Sequence, residues 1–395
     1  MIDLLYQEWY FPRPELAQRI LTLLKTGSGD PVALVGERRI GKTSLILREL
    51  MPLAHEQGWL PVYADIYQHR ADPLAAINYA LQEALDDLVV PQSTLGKRLK
   101  TSVKKVGLAS ASLDLGEEPA RRRPDDPFLL IDWLIKTLVR TAKKPLLLIF
   151  DEVQELATVT DGENIVSAIR SAITKSKNNI RVVFTGSSQE KLLSLFSRSR
   201  AALYEGASTL AFPYLAEDFL AHIIQKTKER FKKRIDPSDL AHAYARLHHQ
   251  PRALIDLVML FASSDATSLI ALLDERVAFQ LTGAEFETLW RSLTALNQRI
   301  CLRIAQGGDV TSLEARKAYA VGADRPEIPA GTVSSALRTL VNDHVLTKAP
   351  SGRSRYRLDD PLFAEWLRRD GGAGGAAAGV GGKHTGYALA FDHRF

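Results

Sequence analysis

The chain of 395 residues contains a single cysteine, Cys301, so it can build neither an internal disulfide nor a thiolate metal cluster. Cys301 lies in a helical apolar pattern and reads as a packed core residue rather than a nucleophile. No run of about 18 apolar residues occurs, so no membrane span is indicated. The opening stretch, Met1-Ile2-Asp3-Leu4-Leu5-Tyr6, lacks a basic region, a long apolar region and a small-residue cleavage site. The cytoplasm is the expected location. His242, His248 and His249 match no zinc-ligand spacing and read as surface or lid residues. Neither sign of charge dominates: 51 Lys and Arg against 46 Asp and Glu leave a net +5. That permits nucleic-acid contact without arguing for it.

What the chain does have is a phosphate loop. Gly36-Glu37-Arg38-Arg39-Ile40-Gly41-Lys42-Thr43-Ser44 fits G-x-x-x-x-G-K-[ST]. Val32-Ala33-Leu34-Val35 before it reads as a buried parallel strand. Ser44 to Leu50 after it reads as a helix. A strand, a glycine loop and a helix start make an anion site, because backbone N–H groups and the helix dipole both face the phosphates. Gly36 and Gly41 allow close approach that a side chain would block. Lys42 would neutralise the β- and γ-phosphates, and the Thr43 hydroxyl would ligate Mg²⁺.

The partner strand is Leu146-Leu147-Leu148-Ile149-Phe150-Asp151-Glu152, an apolar run ending in two acids where parallel sheets bind ligands. Asp151 would hold Mg²⁺ through water, and Glu152 would orient and deprotonate the attacking water. Ile180 to Ser188 is a further strand ending in small polar residues. Thr185 or Ser187 there either senses the γ-phosphate or caps the next element. Leu60 to Ile66 and Thr209 to Phe212 complete the strands. The order of elements predicts an α/β fold, a P-loop NTPase parallel sheet with helices on both faces. Residues 1–215 form this core, and Pro14 opens its first helix. Within it, residues 91–127 read as a basic insertion with Lys97, Arg98, Lys100, Lys104 and Lys105. It is either a solvated loop or a nucleic-acid-touching arm.

Residues 216–282 turn all-helical and read as a lid. Arg252, after Pro251, either reaches the nucleotide or is an exposed helix-start residue. Residues 283–370 read as a winged helix. One helix is expected from about Ala284 to Ala305, a second over Leu313–Tyr319 and a third over Thr332–Asn342, then a hairpin with the turn Ala349-Pro350-Ser351-Gly352. Ser334, Ser335 and Arg338 lie off the third helix's apolar set, and the wing carries Lys348, Arg353, Arg355 and Arg357. All of these except Lys348 are the candidate double-stranded-DNA contacts; packing or a protein partner is the equal alternative. Residues 371–395 open as a Gly/Ala-rich tail, flexible by composition.

The loop Gly36–Ser44, the stretch Phe150-Asp151-Glu152-Val153-Gln154-Glu155-Leu156 and Phe184-Thr185-Gly186-Ser187-Ser188 resemble the archaeal-type ATPases. These stand close to the signal-transduction ATPases with numerous domains, a branch beside the AAA+ proteins. Thr332 to Leu337 and Tyr356 to Phe363 resemble that family's C-terminal region, so the resemblance covers about residues 6–370. It implies a nucleotide-driven switch with ATP and Mg²⁺ as cofactors, ATP closing the lid and C-terminal module or driving homo-oligomer assembly. Lys42, Thr43, Asp151 and Glu152 inherit binding and hydrolysis roles. Where relatives tend to carry Tyr-Gly-Arg, this chain has Leu203-Tyr204-Glu205-Gly206; Arg198 and Arg200 just upstream are the candidate arginine fingers. Two further functions fit the same residues. One is a DNA-acting loader, initiator or transposition-type ATPase, and the other is a non-hydrolysing ATP-gated regulator.

Overall fold

The structure is a computed structural model and describes residues 7–26, 30–89, 122–187, 207–282, 284–321, 326–348 and 355–369. Outside these lie the lysine cluster 97–105, Arg198, Arg200, the 203–206 element, Arg353 and the tail 371–395. The chain divides into two compact units, residues 1–234 with 249–255, and residues 235–248 with 256–395.

The first unit holds a five-stranded sheet. In chain order come α1 (Pro14–Thr26), β1 (Val32–Val35), α2 (Lys42–Leu45), a π-helical turn (Ile46–Leu50), α3 (Met51–Glu56) and β2 (Leu60–Asp65). Then follow α4 (Pro73–Val89), α5 (Pro127–Ala142), β3 (Leu146–Asp151), α6 (Gly162–Lys175), β4 (Ile180–Gly186), β5 (Ser208–Ala211) and α7 (Glu217–Phe231). The spatial order is β2-β3-β4-β1-β5, with every pairing parallel.

Alternate strand residues go to opposite faces, and both faces are covered. Leu146, Leu148 and Phe150 pack with Ile77 and Leu81 of α4, Leu134 and Ile135 of α5, and Ile169 of α6. Leu147 and Ile149 pack instead with Ile20, Leu21 and Leu24 of α1 and with Leu45 and Ile46 after the loop. Burial on both faces is why β1 and β3 read as unbroken apolar runs rather than alternating ones. The arrangement of the five strands with helices on both faces is the P-loop NTPase fold that the sequence predicted.

The second unit contains α8 (Pro237–Arg246), most of α9 (Pro251–Ala262), α10 (Leu269–Thr282), α11 (Ala284–Ser292), α12 (Ala295–Ala305), α13 (Leu313–Tyr319) and α14 (Ala330–Asn342). The strands β6 (Leu346–Lys348) and β7 (Tyr356–Leu358) pair antiparallel, and α15 (Pro361–Arg369) follows. Three helices and a hairpin stand in the order a winged helix requires. Ile300, Leu337, Leu340, Leu346, Leu358 and Phe363 share its core. Arg246 of α8 pairs with Asp274 of α10 at 2.9 Å and with Glu365 of α15 at 2.5 Å, so α8, α10 and α15 meet at one guanidinium.

Two elements differ from expectation. The helix expected across 284–305 is two helices, because the Thr294 side chain accepts from Asn297 N–H and starts a new one. Both pieces pack on the same core, so their apolar spacing runs on across the break. Helix α10 was hidden in the sequence after Ala262, where no separate segment stood out.

Candidate nucleotide site

The site forms where β1, β3 and β4 end together. Register places Val35 beside Gly186 and Phe150 beside Phe184. Gly36 N–H donates to the Gly186 carbonyl at 3.2 Å, so the loop leaves β1 tied to β4. A Cβ on Gly36 would lie 2.8 Å from Phe212 Cβ, closer than the roughly 3.5 Å of ordinary carbon contact. Gly41 takes φ 101°, a left-handed backbone that glycine adopts without strain. Ile40 plugs the loop into the core, whereas Arg39 is exposed with φ 64°.

Lys42 is buried, and its Nζ donates to the carbonyls of Gly36 at 2.6 Å and Glu37 at 2.7 Å. Burial lowers its pKa from the ordinary lysine value, while the charges of Glu152 and Asp151 oppose that. Thr43 Oγ1 donates to Asp151 Oδ2 at 2.7 Å. The predicted loop hydroxyl and the predicted strand-end carboxylate, 108 residues apart in sequence, are therefore in direct contact.

Asp151 is itself buried, and both its oxygens are engaged. Oδ2 also accepts from the Tyr63 hydroxyl at 2.7 Å. Oδ1 accepts from the Thr185 hydroxyl and from Glu152 N–H, the latter at 3.1 Å. Burial, then the adjacent Asp151 charge, push the Tyr63 phenol pKa well up. Tyr63 was missed by sequence reasoning. Its only signal is a position two residues before the end of β2, and that means little until β2 is known to border β3.

Glu152 turns the chain out of β3 with φ 55° and ψ 41°. Its N–H also donates to Thr185 Oγ1 at 3.0 Å. Its Oε2 accepts from Ser187 Oγ at 2.8 Å and from the Gln154 side-chain amide. Gln154 donates to Ser187 Oγ at 3.1 Å and accepts from Ser187 N–H at 3.3 Å. Thr185 thus ties the Asp151 carboxylate to the Glu152 backbone, and Ser187 holds the Glu152 carboxylate. Gln154 is a second residue sequence reasoning gave no role, although it stands two residues after Glu152.

A strap crosses the loop from the other side. Glu49 accepts from the Tyr10 hydroxyl and from Arg13 N–H, the latter at 2.8 and 2.9 Å to its two oxygens. The Arg13 guanidinium then donates to the Ile40 carbonyl at 2.7 Å and the Pro213 carbonyl at 3.1 Å, and stacks on Phe212. The π-helical turn that contains Glu49 interrupts the helix at this contact. Arg13 lies in the stretch Phe11-Pro12-Arg13-Pro14, with no spacing rule to single it out.

The remaining candidates lie elsewhere. Arg252 is exposed in the first turn of α9 and is not among the side chains gathered on Asp151. In the second unit Ser334, Ser335 and Arg338 lie on α14, the two serines exposed and Arg338 exposed with them, as is Arg355 just before β7. Arg357 is only partly exposed, and burial brings its pKa down to about 10. Among the described residues no helix is long and apolar enough to cross a membrane. None of their His, Cys, Asp and Glu side chains form a group of three or more able to hold a metal.

No curated protein matches this sequence. Among solved structures it is similar to the Walker-type ATPase PABY2304 of Pyrococcus abyssi at 18% identity and a TM-score of 0.58, covering 91% of this chain and 96% of that one. It is also similar to the ORC2 protein of Aeropyrum pernix in its ADPNP–ADP complexes. There the identity is 15%, the TM-score 0.50, and the coverage 92% of this chain and 93% of that one. At such identities the likeness speaks for the fold. A family model described as an ATPase domain predominantly from Archaea matches residues 10–257. That span holds the whole site and most of the chain, and the protein belongs to this archaeal-type family of P-loop ATPase domains.

Proposed function

We propose that the protein is a Mg²⁺-dependent ATPase switch that couples its nucleotide state to a C-terminal winged helix engaging DNA or a protein partner. The observation that carries the reading is the 2.7 Å hydrogen bond from Thr43 to Asp151. It joins the loop hydroxyl to the strand-end carboxylate and offers two adjacent hard oxygens. Mg²⁺ takes such oxygens together with phosphate oxygens and waters, not a full protein cage. The lack of a three-residue metal cluster among the described residues suits an ion that arrives with the nucleotide. When bound, Mg²⁺ would offset charge on the β- and γ-phosphates.

The chain's own residues supply the rest. Backbone N–H groups of the loop after Gly36, whose own N–H is held by the Gly186 carbonyl, would face the phosphates at the start of α2. Lys42 exchanges the carbonyls of Gly36 and Glu37 for phosphate oxygens, which restores a full partner to its buried charge. Glu152 orients the attacking water and takes its proton. Tyr63 and Thr185 fix the Asp151 carboxylate between them.

In domain terms we read 1–215 as the ATPase core, 216–282 as the lid, 283–370 as the winged-helix domain and 371–395 as a tail. Self-association on ATP belongs to the same reading. The α14 face with Ser334, Ser335 and Arg338 is exposed, which supports an interaction surface. It carries one cation, Arg338, to which the hairpin adds the exposed Arg355 and the partly exposed Arg357. This modest positive charge keeps a protein partner as the second reading beside a phosphate-gripping one.

The test is ATP turnover by the full chain, with and without duplex DNA, beside Glu152→Gln and Lys42→Ala. Glu152→Gln should keep ATP binding and lose turnover; Lys42→Ala should weaken binding. Turnover that rises with DNA supports a DNA-acting loader, and turnover indifferent to DNA supports the protein-partner switch. Tight ATP binding without turnover leaves the ATP-gated regulator. Normal turnover in Glu152→Gln would remove Glu152 as the base.

A further inference from the structure

Arg38 and Arg39 are neighbours in the phosphate loop, and the fold treats them oppositely. Arg39 is exposed. The Arg38 side chain turns inward, 17% exposed, and its Nε donates to Ser187 Oγ at 3.3 Å. The same hydroxyl donates to Glu152 Oε2 at 2.8 Å. The guanidinium therefore stands two hydrogen bonds from the carboxylate assigned to water activation. It lies at the carboxyl ends of β3 and β4, the side on which parallel sheets receive ligands.

What holds Arg38 there is loose. Its Nη2 lies 3.6 Å from Glu155 Oε1, well beyond the roughly 2.7–2.9 Å of a tight charge-assisted pair. Arg70 approaches the other oxygen of Glu155 more closely, with Nη2 at 3.2 Å and Nε at 3.3 Å. Both guanidinium groups also lie over the Tyr67 ring, at 5.3 Å for Arg38 and 4.9 Å for Arg70. The Glu155 side chain is 3% exposed, so one buried negative charge faces two cations. Arg70 has the better hold on it. Arg38 is the cation that an incoming anion can take over, and a phosphoryl group fits its planar fork.

We propose that Arg38 is the arginine of the hydrolytic step, supplied by the chain that binds the nucleotide, with Glu155 as its resting counter-ion. This rests on the ATPase reading above. In the step a water oxygen bonds to the γ-phosphorus. The bond from that phosphorus to the β–γ bridging oxygen breaks, and its electron pair leaves on ADP. The water's proton passes to Glu152. Arg38 meets the negative charge spread over the γ-phosphate oxygens, where a pre-placed donor is worth more than in the ground state. An arginine from a neighbouring subunit is then not required. The competing role is mechanical: Arg38 would only tie the loop to β4.

Arg38→Ala and Arg38→Lys in the full chain separate the two. Three quantities are read: the Kd of ADP, the Kd of ADP with aluminium fluoride as transition-state mimic, and turnover. ADP lacks the group Arg38 meets, so its Kd should stay within about threefold of wild type in Arg38→Ala. The fluoride complex and turnover should both weaken by about 10²–10³-fold. Arg38→Lys should recover part of that, since it keeps the charge and loses the fork. Mixing Arg38→Ala with Lys42→Ala should restore nothing. Parallel loss of ADP affinity would make Arg38 a tether, and an unchanged fluoride complex or recovery on mixing would equally overturn the proposal. A wild type that binds ATP without turnover would sink the hydrolytic reading on its own, while the fluoride complex still decides on Arg38.

Discussion

Thr185 is the most sensitive single atom-for-atom test of this site. Its side chain is fully buried at 0% exposure. Its hydroxyl donates to the buried Asp151 carboxylate and accepts from Glu152 N–H. Thr185→Val keeps the shape and deletes the hydroxyl. A hydrogen bond to a charged group is worth about 1.5–3 kcal/mol, and its loss leaves Asp151 Oδ1 with one donor. Glu152 N–H keeps Asp151 as an acceptor, so no further orphan arises. The expected cost is about 2–3 kcal/mol. Thr185→Ser keeps the hydroxyl and loses one buried methyl, a cost of about 1 kcal/mol. The assay is urea unfolding followed by circular dichroism, with the first unit's transition identified by its shift on adding ADP. With a slope of about 2–3 kcal/mol per M, valine should lower that midpoint by about 1 M and serine by about 0.4 M. If the valine variant unfolds no earlier than the serine variant, the hydroxyl does not hold the acids and the site has been misread.

Two further outcomes follow from the packing. Gly36→Ala places a methyl 2.8 Å from both Phe212 Cβ and Ile40 Cδ1, and of these only the isoleucine end can swing away. Overpacking of that kind costs about 1–3 kcal/mol, so the first unit's urea midpoint should fall, and an unchanged midpoint would show that the loop can yield. Cys301 is buried, and burial pushes its thiol from the ordinary value near 9 up to about 12. It should therefore resist thiol reagents in the folded protein and react on unfolding. The sign of the pH effect is set by the unfolded chain, which sheds this proton near 9 while the folded chain keeps it to about 12. Stability held below that window is lost as pH rises through it, and Cys301→Ala should flatten this part of the slope of urea midpoint against pH.

The parts of the site that could be read from the sequence are those built from contiguous residues. Gly36 to Ser44 and Asp151-Glu152 each carry their chemistry in one short stretch, and burial on both faces made their strands unbroken apolar runs. The contacts between them depend on strand order, which no local pattern reports. Because β4 lies between β1 and β3, Thr185 and Ser187 fall between the strand that leads to Thr43 and the one that ends at Asp151. From the sequence they were only polar residues at a strand end. Tyr63 matters because β2 borders β3, and its partner Asp151 is 88 residues away. Arg13 and Arg38 are arginines among many, distinguishable only once their guanidinium groups are seen turned inward. In the second unit the periodicity ran through Thr294 because α11 and α12 share a core, and a capping threonine is a weak signal inside a strong apolar rhythm.

The strand order also has a consequence for synthesis. β1 ends at Val35, yet both strands that flank it come much later, β4 ending at Gly186 and β5 at Ala211. At about 5–20 residues per second, a ribosome takes roughly 10–35 s to deliver the missing neighbours. Until then Val32-Ala33-Leu34-Val35 waits with neither edge paired and with no sheet beneath it. All four residues are buried in the finished sheet, so the nascent chain carries a sticky tetrapeptide next to an unformed nucleotide loop. The segment that defines the protein's chemistry is thus the one that, during translation, needs sheltering longest.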